Sequence, residues 1–489
     1  LRHVNQFIKK QKVKFEGTKW AMYYTRKGKF MIKFDLKSGY HHVDIHPEFQ
    51  KYLGFSYESE GKNRYFEFTV LPFGLSLAGY IFTKIVRVLV KYWRSQCIPV
   101  VVYLDDGWVC SDYNSCIETA SFLRKTLECS GFQVNIEKSQ SVPVDKIIWL
   151  GFLWNLRDGI LEVPNEKIEK IRKNVELVVA DIERVSVRDV ASFVGKVISL
   201  KPALGSICQL MTRCLSMALC KRTGWDSVLN LSRDCVTELF FWNKNLGNLP
   251  SSKITWFNKT PSKILFSDAS EFAGAGYSIE QDTKIVHYMW SNWEKSKSST
   301  WRELKAICVI IESLCDDLSG RLVKVYTDNQ NSVLIACKGS TCMNNELHQL
   351  ALDMFGLCVA HSIKLEIEWI PRNMNTVADE PSKMYDYDDW GVSDKNFECL
   401  NKMWGEYTCD LFADSKNTKV KKFYSRFWTP GTSGVDAFAQ NWADENCWVV
   451  PPPVVICRVI VHMRICKAFG TLIIPKWKTP LFWPMVWNA

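Results

Sequence analysis

Hydrophobic and polar positions follow two different periods over residues 1 to about 155. Short apolar runs rich in β-branched residues, at 30–34 and 100–104, predict strands. Apolar residues spaced by three and four predict helices at 76–93 and 116–129. Because strand-like and helix-like patterns alternate, we predict a mixed α/β domain here.

The pattern then becomes helical and later returns to α/β. Residues 166–179 and 187–200 carry apolar residues at helical spacing with basic residues between them, and this pattern continues towards Trp242. A loop-like composition at 249–252 precedes a new α/β pattern, which opens with a predicted strand at 264–267. We therefore predict a domain boundary near residue 250.

A second change of composition occurs in the last quarter of the chain. The segment 385–390 is acidic and aromatic, which is typical of a linker, and the chain from about Tyr407 is rich in Trp, Pro and Val. The resulting prediction has five parts: 1–155, a helical part at 156–250, an α/β part at 262–384, a linker at 385–406 and a tail at 407–489.

Composition bounds the class of protein. A chain of 489 residues is too long for one core, and 47% hydrophobic with 23% charged residues is typical of globular proteins. The net charge of +10 suits a polyanionic partner such as nucleic acid. The apolar stretch at 454–474 is interrupted by charged residues, so we expect a soluble protein with no membrane partner. Because the chain opens on Leu1, we expect it to be part of a longer polypeptide.

The 18 cysteines contain no Cys-x-x-Cys pair and no zinc-knuckle spacing. This pattern argues against a zinc module and against a disulfide framework in so large a chain. We expect a reducing intracellular compartment, the cytoplasm and/or the nucleus.

The most informative local feature is Tyr103-Leu-Asp-Asp106, which places two adjacent carboxylates at the tip of a predicted apolar hairpin of 100–104 and 108–110. Asp106-Gly107 would supply its turn. Adjacent aspartates repel each other unless a cation lies between them, although a solvated turn is the other interpretation. Asp35 ends the predicted strand at 30–34 and could face this pair. Three such carboxylates can hold two divalent cations about 3.5 to 4 Å apart, as nucleotidyl transfer requires.

Five motifs occur in one order and together resemble reverse transcriptase. They are FDLKSGYHHVDIHP at 34–47, LPFGL at 71–75, YLDD at 103–106, GFQVNIEKS at 131–139 and WLGF at 149–152. The resemblance implies a right-hand polymerase with palm, partial fingers and thumb, the thumb being the helices after Glu166. It also implies that Asp35, Asp105 and Asp106 bind the catalytic metals.

The same resemblance implies roles for other residues. Tyr40 would be the aromatic gate that rejects a ribose 2′-hydroxyl, while Phe73 and Gly74 would border the incoming nucleotide. Lys138 would lie near that nucleotide as a proton donor to pyrophosphate. The hairpin that grips the primer terminus would comprise Trp149, Leu150, Gly151 and Phe152. Ordinary packing for Tyr40, Phe73 and Trp149, a surface position for Lys138 and a solvated thumb face are the alternatives.

A second set of acids lies in the α/β part at 262–384. Asp268 and Asp328 close predicted strands, Glu303 opens a predicted helix, and Asp379 lies in NTVADEPSK at 375–383. Four acids on separate elements could form a two-metal hydrolytic site, although each could also be a cap or strand-end residue. Their order and local sequences resemble ribonuclease H, which implies that all four bind metal and that the RNA strand of a hybrid is cut.

Finer likenesses concern the subfamily and the tail. TDNQN at 327–331 with KGS at 338–340 resembles the DIRS type of tyrosine-recombinase retrotransposon, with gypsy-type elements as the alternative. The tail, through 410–417, 436–438, Trp442 and 451–453, resembles the same DIRS type and is also similar to a phage-type DNA adenine methyltransferase. Val450 and Pro453 replace the polar and aromatic residues that flank Pro-Pro in such enzymes, so we expect a degenerate α/β appendage.

The sequence thus predicts an RNA-directed DNA polymerase with ribonuclease H activity. The expected cofactor is Mg²⁺, two ions per active site, with Mn²⁺ as the alternative. Expected partners are an RNA template, a DNA primer, the RNA–DNA hybrid, dNTPs and an element-encoded tyrosine recombinase. The alternatives are a decayed or domesticated copy that binds nucleic acid without catalysis, and a polymerase that prefers DNA templates.

Overall fold

The computed structural model describes residues 1–9, 11–254, 260–279, 284–338, 344–385 and 390–487. The chain divides into two compact units, Leu1–Lys259 and Thr260–Ala489. Residues 339–340 of the DIRS-like motif and 386–389 of the predicted linker lie outside the described residues. Within the described ranges, no helix has both the length and the apolar character needed to cross a membrane.

The first unit contains ten strands and eleven α-helices among its described residues. The strands are β1 Phe30–Asp35, β2 Gly54–Ser59, β3 Lys62–Glu67, β4 Val100–Tyr103, β5 Asp106–Ser111, β6 Gln140–Val144, β7 Lys146–Trp149, β8 Phe152–Asn155, β9 Ile160–Glu162 and β10 Ser252–Lys253. The helices are α1 Val4–Phe7, α2 Thr18–Tyr24, α3 Pro47–Gln50, α4 Ala78–Ser95, α5 Tyr113–Cys129, α6 Asn165–Ala180, α7 Val187–Ile198, α8 Lys201–Leu204, α9 Ile207–Leu210, α10 Arg213–Cys220 and α11 Arg233–Asn245.

A four-stranded sheet with the order β4-β5-β1-β6 forms the base of the first unit. All its pairs are antiparallel. Helices α4 and α5 pack on it, because α4 turns Phe82, Val86, Val90 and Trp93 to one side at spacings of three and four. The mixed α/β pattern predicted for residues 1–155 is therefore observed.

The turn of the β4–β5 hairpin differs from the prediction. Tyr103 pairs with Asp106, so the turn consists of Leu104 and Asp105, and Asp106-Gly107 belongs to β5. Leu104 takes the left-handed conformation that the turn requires, with φ of 56°. Gly107 is needed for packing instead, since a Cβ at this position would lie 2.1 Å from the Phe34 ring. The prediction that Asp106-Gly107 forms the turn is wrong.

A second antiparallel sheet has the order β10-β9-β8-β7. The β7–β8 turn consists of Leu150 and Gly151, which both have positive φ, at 47° and 73°. Two tryptophans of this hairpin, Trp149 and Trp154, pack on Trp108 of β5 with ring centroids 5.7 and 5.3 Å away. This buried cluster attaches the hairpin to the first sheet.

The helical region after β9 agrees with the two helices predicted at 166–179 and 187–200. Helix α7 begins where Ser186 accepts a hydrogen bond from the Asp189 backbone N–H. Buried Glu238 of α11 accepts hydrogen bonds from the backbone N–H groups of Cys214 and Leu215 at 2.8 and 3.0 Å. These bonds join α10 to α11.

The second unit contains ten more strands and nine α-helices among its described residues. The strands are β11 Lys263–Ala269, β12 Ala273–Ser278, β13 Ile285–Met289, β14 Leu322–Thr327, β15 Lys364–Trp369, β16 Cys409–Asp410, β17 Tyr424–Ser425, β18 Gly434–Val435, β19 Asn446–Val449 and β20 Phe469–Leu472. The helices are α12 Asn292–Lys295, α13 Ser299–Ser313, α14 Cys315–Leu318, α15 Gln330–Lys338, α16 Asn345–Ala360, α17 Thr376–Ser382, α18 Asp394–Trp404, α19 Ile456–Cys466 and α20 Phe482–Trp487.

A five-stranded sheet with the order β13-β12-β11-β14-β15 organises the first part of this unit. β11, β14 and β15 are parallel, whereas β12 pairs antiparallel with both of its neighbours, β11 and β13. The carboxyl ends of the three parallel strands therefore meet at one edge of the sheet. Helix α13 packs against the sheet with nine buried residues, including Glu303.

The tail is a smaller α/β segment with a parallel sheet of order β16-β19-β20. Helix α18 lies inside the predicted linker at 385–406, and its Phe397 packs on Trp448 of β19 with ring centroids 5.0 Å apart. That segment thus belongs to the tail and does not form a linker throughout. Trp428 pairs with the edge strand β13, donating to the Ile285 carbonyl at 3.0 Å and accepting from the His287 N–H at 3.2 Å.

Candidate catalytic sites

The first candidate site lies where β1 meets the β4–β5 hairpin. The antiparallel register places Asp35 directly opposite Asp106, and Asp35 helps to raise the pKa of the Asp106 carboxyl group. Asp105 follows at the turn, where its carbonyl accepts from the Leu36 N–H at 3.1 Å. The structure therefore brings together the three acids that the sequence predicted.

The carboxyl groups of this site repel one another. Burial and then the charges of Asp105 and Asp35 raise the pKa of Asp106 to about 6. Burial also raises the pKa of Asp105, and the charge of Asp35 adds to this effect. Carboxylate oxygens are the ligands that hard divalent cations prefer, and a cation would relieve this repulsion. These three residues fit a divalent metal by their chemistry.

The segment after α5 fixes Asp35. The Asp35 backbone N–H donates to Ser139 Oγ at 3.0 Å, and its carbonyl accepts from the Asn135 N–H at 2.8 Å. Sequence reasoning missed Ser139 and Asn135 as positioning residues, although both lie inside the motif at 131–139. Lys138 lies between them on an exposed turn, and its charge lowers the pKa of Asp105. The charge of Lys138 therefore acts on Asp105.

Tyr40 and Phe73 pack together beside the acids, with ring centroids 4.9 Å apart. Burial, followed by the charge of Asp105, raises the pKa of the Tyr40 phenol. Phe73 is 60% exposed, and Gly74 takes φ of 90° while its carbonyl accepts from Asn5 Nδ2 at 2.8 Å. An exposed aromatic beside a carboxylate cluster is available to a ligand, whereas Tyr40 is partly committed to packing.

The predicted primer hairpin divides into a buried base and an exposed tip. Trp149 and Phe152 are 2% and 4% exposed, so their rings serve the core. Only the tip, Leu150 and Gly151, reaches solvent. Lys33, two residues before Asp35 on the same face of β1, donates from Nζ to the Ile148 carbonyl at 2.9 Å. Lys33 was not anticipated from sequence and ties the hairpin to the acid-bearing strand.

The second candidate site lies at the carboxyl ends of the parallel strands in the second unit. Asp268 is near the end of β11, Asp328 directly follows β14, and Glu303 faces them from α13. Each of the three offers a carboxylate oxygen, and these atoms all lie within 4.8 Å of one another. Among the described residues, these three acids form the one group of His, Cys, Asp or Glu side chains whose ligand atoms all lie that close together.

Glu303 is the most perturbed acid of this group. Burial, followed by the charges of Asp268 and Asp328, raises the pKa of Glu303 to about 9. Its Oε2 is buried and accepts no hydrogen bond from the described residues. A buried carboxylate oxygen without a partner is costly unless a cation or proton satisfies it. Asp268, Glu303 and Asp328 therefore fit a divalent metal.

Asp379 does not join the group of three. Its Oδ1 accepts from Arg372 Nη2 at 3.2 Å, and its Oδ2 pairs with Lys383. These interactions, with the Lys383 hydrogen bond as the largest contribution, lower the pKa of Asp379. Its charge still contributes to raising the pKa of Asp268 and of Asp328, so it lies near both. The structure places all four predicted acids in one region but only three in direct proximity.

Two polar residues of the second site were missed from sequence. Ser382 Oγ donates to Asp268 Oδ2 at 2.7 Å, and Asn375 Nδ2 donates to the Ser267 carbonyl at 2.9 Å. Both attach the segment around α17 to β11. Their signal was present in the motif at 375–383, where polar residues recur at helical spacing around Asp379.

Comparison with known proteins concerns the part of the chain that carries the first of these sites. Residues 1–153 match the family model described as reverse transcriptase (RNA-dependent DNA polymerase). Residues 1–153 form a reverse transcriptase domain. The match includes Asp35, Asp105 and Asp106 and ends just beyond Phe152.

Curated relatives of the chain include retrotransposon and viral polyproteins. It is 26% identical over 327 residues to the retrovirus-related Pol polyprotein from transposon gypsy of Drosophila melanogaster, covering 62% of this chain and 29% of that protein. The Pol polyprotein from transposon opus of the same fly is 26% identical over 374 residues, with 73% and 34% covered. The genome polyprotein of Petunia vein clearing virus is 24% identical over 311 residues, with 62% and 13% covered. The chain thus spans about a third or less of these relatives.

Solved structures similar to this chain include the foamy viral protease–reverse transcriptase. In complex with RNA/DNA hybrid, that protein has a TM-score of 0.44 and 15% identity, with 80% of this chain and 50% of that chain covered. A form in complex with double-stranded DNA has a TM-score of 0.45 and 15% identity, with 76% and 62% covered.

Proposed function

We propose that this chain is the polymerase and ribonuclease H portion of a retrotransposon polyprotein. It copies an RNA template into DNA from a DNA primer and dNTPs, and it hydrolyses the RNA strand of the resulting hybrid. The observation that carries the proposal is the register that sets Asp35 opposite Asp106, beside Asp105, within the reverse transcriptase domain.

In the proposed polymerase site, Asp35, Asp105 and Asp106 hold divalent metal, Mg²⁺ or Mn²⁺. Two such ions would activate the primer hydroxyl and stabilise the leaving pyrophosphate. Exposed Phe73 borders the nucleotide, and Tyr40 discriminates at the sugar. Lys138, whose charge lowers the pKa of Asp105, would donate a proton to pyrophosphate. The Leu150–Gly151 tip, held by its buried tryptophans, contacts the primer.

In the proposed nuclease site, Asp268, Glu303 and Asp328 hold divalent metal, and Asp379 is the fourth acid. The support is the proximity of three carboxylate oxygens and the unpartnered Glu303 Oε2. A site of this kind beside a polymerase on one polypeptide suits the removal of a copied RNA template. We place its domain at 262–384, between a helical thumb and connection at 156–250 and the tail.

For the tail and the subfamily we keep the proposals made from sequence. Parts of the segments that carry the methyltransferase likeness, namely 411–414, 436–438 and Pro452, line one cavity of about 640 Å³. Val450 is 6% exposed and apolar, so no polar group there accepts the hydrogens of an adenine amine. We propose a degenerate appendage rather than a methylase. The DIRS-type assignment and a recombinase partner rest on the sequences at 327–331 and 338–340 and on the tail, and gypsy-type membership is the competing proposal.

The experiment that tests this function measures two activities of one protein. Wild type would be assayed with Mg²⁺ for dTTP incorporation on poly(rA)/oligo(dT) and for cleavage of the RNA strand of a preformed hybrid. The Asp105→Asn, Asp106→Asn double variant should lose incorporation and retain cleavage. Glu303→Gln should lose cleavage and retain incorporation. Each variant is therefore the folding control for the other.

The outcomes separate the candidate functions. No incorporation by wild type, with hybrid binding intact, would favour a copy that binds nucleic acid without catalysis. Stronger incorporation on a DNA template than on the RNA template would favour a polymerase that prefers DNA. Loss of both activities in both variants would show that the substitutions act through folding.

A further inference from the structure

Two rows of side chains follow one another on the same face of the first sheet. In the first row, the register sets Asp35 of β1 opposite Asp106 of β5. In the next row, the register sets Lys33 opposite Trp108. Residues two apart on a strand share a face, so the Lys33–Trp108 row directly borders the row of acids.

Both members of the second row contact the predicted primer hairpin. The Trp108 ring packs on the Trp149 ring with centroids 5.7 Å apart, and both rings are buried. Lys33 Nζ donates to the Ile148 carbonyl at 2.9 Å. The hairpin thus has one apolar and one polar attachment to the strands that carry the acids.

The polar attachment is the directional one. Strand β7 lies at the edge of its sheet, in the order β10-β9-β8-β7, and belongs to a different sheet from β1. The pairing of β1 with β6 is irregular between Met31 and Lys33, where β6 leads into the hairpin. Packed rings tolerate sliding, whereas a hydrogen bond to a carbonyl fixes a distance and a direction. Lys33 therefore holds one point of an edge strand in place.

That point lies close to the tip of the hairpin. Ile148 is followed by buried Trp149 and then by Leu150 and Gly151, the turn residues that reach solvent. The Trp149 carbonyl accepts from Trp154 Nε1 at 3.2 Å, which ties this residue to the opposite strand of the hairpin. A shift at Ile148 would therefore be passed on to the tip, because the residue between them is fixed.

We propose that Lys33 is a positioning residue of the polymerase site, and that its bond to the Ile148 carbonyl sets where the hairpin tip holds the primer terminus relative to the acids. This inference rests on the proposed polymerase function. The primer oxygen reacts only from a near-attack geometry, and a displacement of about 1 Å can cost about 100-fold in rate. Lys33 contacts no reacting atom and transfers no proton. Its charge also lowers the pKa of Asp106, so the test separates the bond from the charge.

The test compares three variants in single-nucleotide incorporation on a defined RNA template with a DNA primer. Lys33→Met keeps most of the side-chain stem but loses the donor and the charge, whereas Lys33→Arg keeps both. Lys146→Met is the matched control, because Lys146 is an exposed cation of β7 whose side chain forms no hydrogen bond or ion pair with the described residues. Rates are expressed per bound primer–template, so that unfolded molecules do not contribute.

At saturating Mg²⁺ and primer–template, the maximal rate should fall about 10- to 30-fold in Lys33→Met and less than about 2-fold in Lys146→Met. Lys33→Arg should recover part of the loss. The affinity for primer–template and its dependence on salt should be the same in all three variants, because no phosphate contact is removed. Lys33→Met should also need less Mg²⁺ for its half-maximal rate, since it lacks a charge that competes with the metal.

An unchanged maximal rate in Lys33→Met, with only the Mg²⁺ requirement lowered, would overturn the proposal, because Lys33 would then act through its charge on the acids. A weaker affinity with a smaller salt dependence, at an unchanged maximal rate, would also overturn it in favour of a direct phosphate contact. An equal loss of rate in Lys146→Met would show that the loss is not specific to the Lys33 bond.

If the unsubstituted protein incorporates no nucleotide, the proposed polymerase function fails, and a fluorescent base decides on Lys33. 2-Aminopurine at the primer terminus reports the surroundings of that base in the bound complex. A change in its fluorescence confined to Lys33→Met would support the positioning role. Equal fluorescence in all variants, or no binding of primer–template, would overturn it.

Discussion

Glu303 is a single residue whose burial is unfavourable for the fold and whose carboxylate suits a metal ion. Its carboxylate is 5% exposed, lies near two other acids and keeps one oxygen without a hydrogen bond from the described residues. A packed core would ordinarily exclude such a group, or would pair it with a cation of the protein. The charges of Arg372 and Arg302 lower the pKa of Glu303, but they contribute less than burial and the charges of Asp268 and Asp328. The arrangement is therefore stable only with a proton or a metal.

Glu303→Gln should stabilise the metal-free protein and abolish its stabilisation by metal. With a pKa of about 9, Glu303 must take up a proton on folding at pH 7, which the amide avoids. We expect the variant to gain about 1 to 3 kcal/mol in EDTA at pH 7. Wild type should gain stability as Mg²⁺ or Mn²⁺ is added, and the variant much less. Thermal unfolding with and without EDTA measures both effects.

Glu312→Gln is the control for this prediction, because Glu312 lies exposed on the same helix. It should leave the unfolding temperature and its dependence on metal unchanged. If Glu303→Gln destabilises the metal-free protein, then Glu303 is not strained in the way that its burial and neighbours indicate.

Several single residues mark the limit of what sequence could predict at this scale. The acids were predictable because strands, helices and motif order locate them one by one. The turn at Leu104 was not, because the Asp-Gly signal at 106–107 reflects the packing of Gly107 on the Phe34 ring. Lys33 bonds the Ile148 carbonyl 115 residues further along the chain, and local patterns carry no information on such a partner. Trp149 was left open, and its burial became visible only with Trp108 in place.

At the scale of elements, the edge strand β13 is covered by the tail rather than by a charge or a bulge. Trp428 forms backbone hydrogen bonds with Ile285 and His287, and Lys284 Nζ lies 4.4 Å from the centroid of the Trp428 ring. Lys416 of the tail also bonds Glu294 Oε2 at 3.1 Å. An uncovered edge strand invites pairing with other chains, so this segment protects the sheet. The sequence predicted a linker before the tail and did not predict the pairing of Trp428 with β13, because composition does not indicate which segments pair.

Replacing Trp428 by Pro should open the β13 edge, whereas Trp428→Ala should not. Proline removes the N–H that donates to the Ile285 carbonyl, while alanine keeps that bond and loses only the ring. We expect hydrogen exchange at the His287 amide to speed up at least about 10-fold in the proline variant, because its bond to Trp428 is disturbed. The proline variant should also aggregate more readily. Equal exchange in both variants would mean that the ring, not the backbone pairing, holds the segment.

At the scale of the whole molecule, the acids fall into two groups that respond to pH in opposite ways. Paired acids such as Asp379 have a lowered pKa, owing chiefly to hydrogen bonds from cations, and they stabilise the fold down to acidic pH. Buried acids such as Glu303 and Asp410 have a raised pKa, owing chiefly to burial. A group with a raised pKa stabilises fully below its unfolded pKa and loses that contribution as pH rises through the folded value. Without metal, neutral to basic pH should therefore weaken the fold.

Asp410 tests this argument outside both groups of acids. It is 2% exposed on β16, accepts from the Lys419 N–H at 3.0 Å, and burial raises its pKa to about 6. Asn mimics the protonated acid, so Asp410→Asn should match wild type near pH 4, become more stable than wild type as pH rises from about 4 to about 6, and keep that advantage above pH 6. The difference should reach at most about 3 kcal/mol near pH 7. Urea unfolding across this pH range, in EDTA and in Mg²⁺, measures it.

Glu398→Gln, at an exposed position of α18, should show no such rise. A pH-independent difference for Asp410→Asn would mean that Asp410 stays ionised in the fold, and Mg²⁺ should leave the expected rise intact because Asp410 belongs to neither acid cluster.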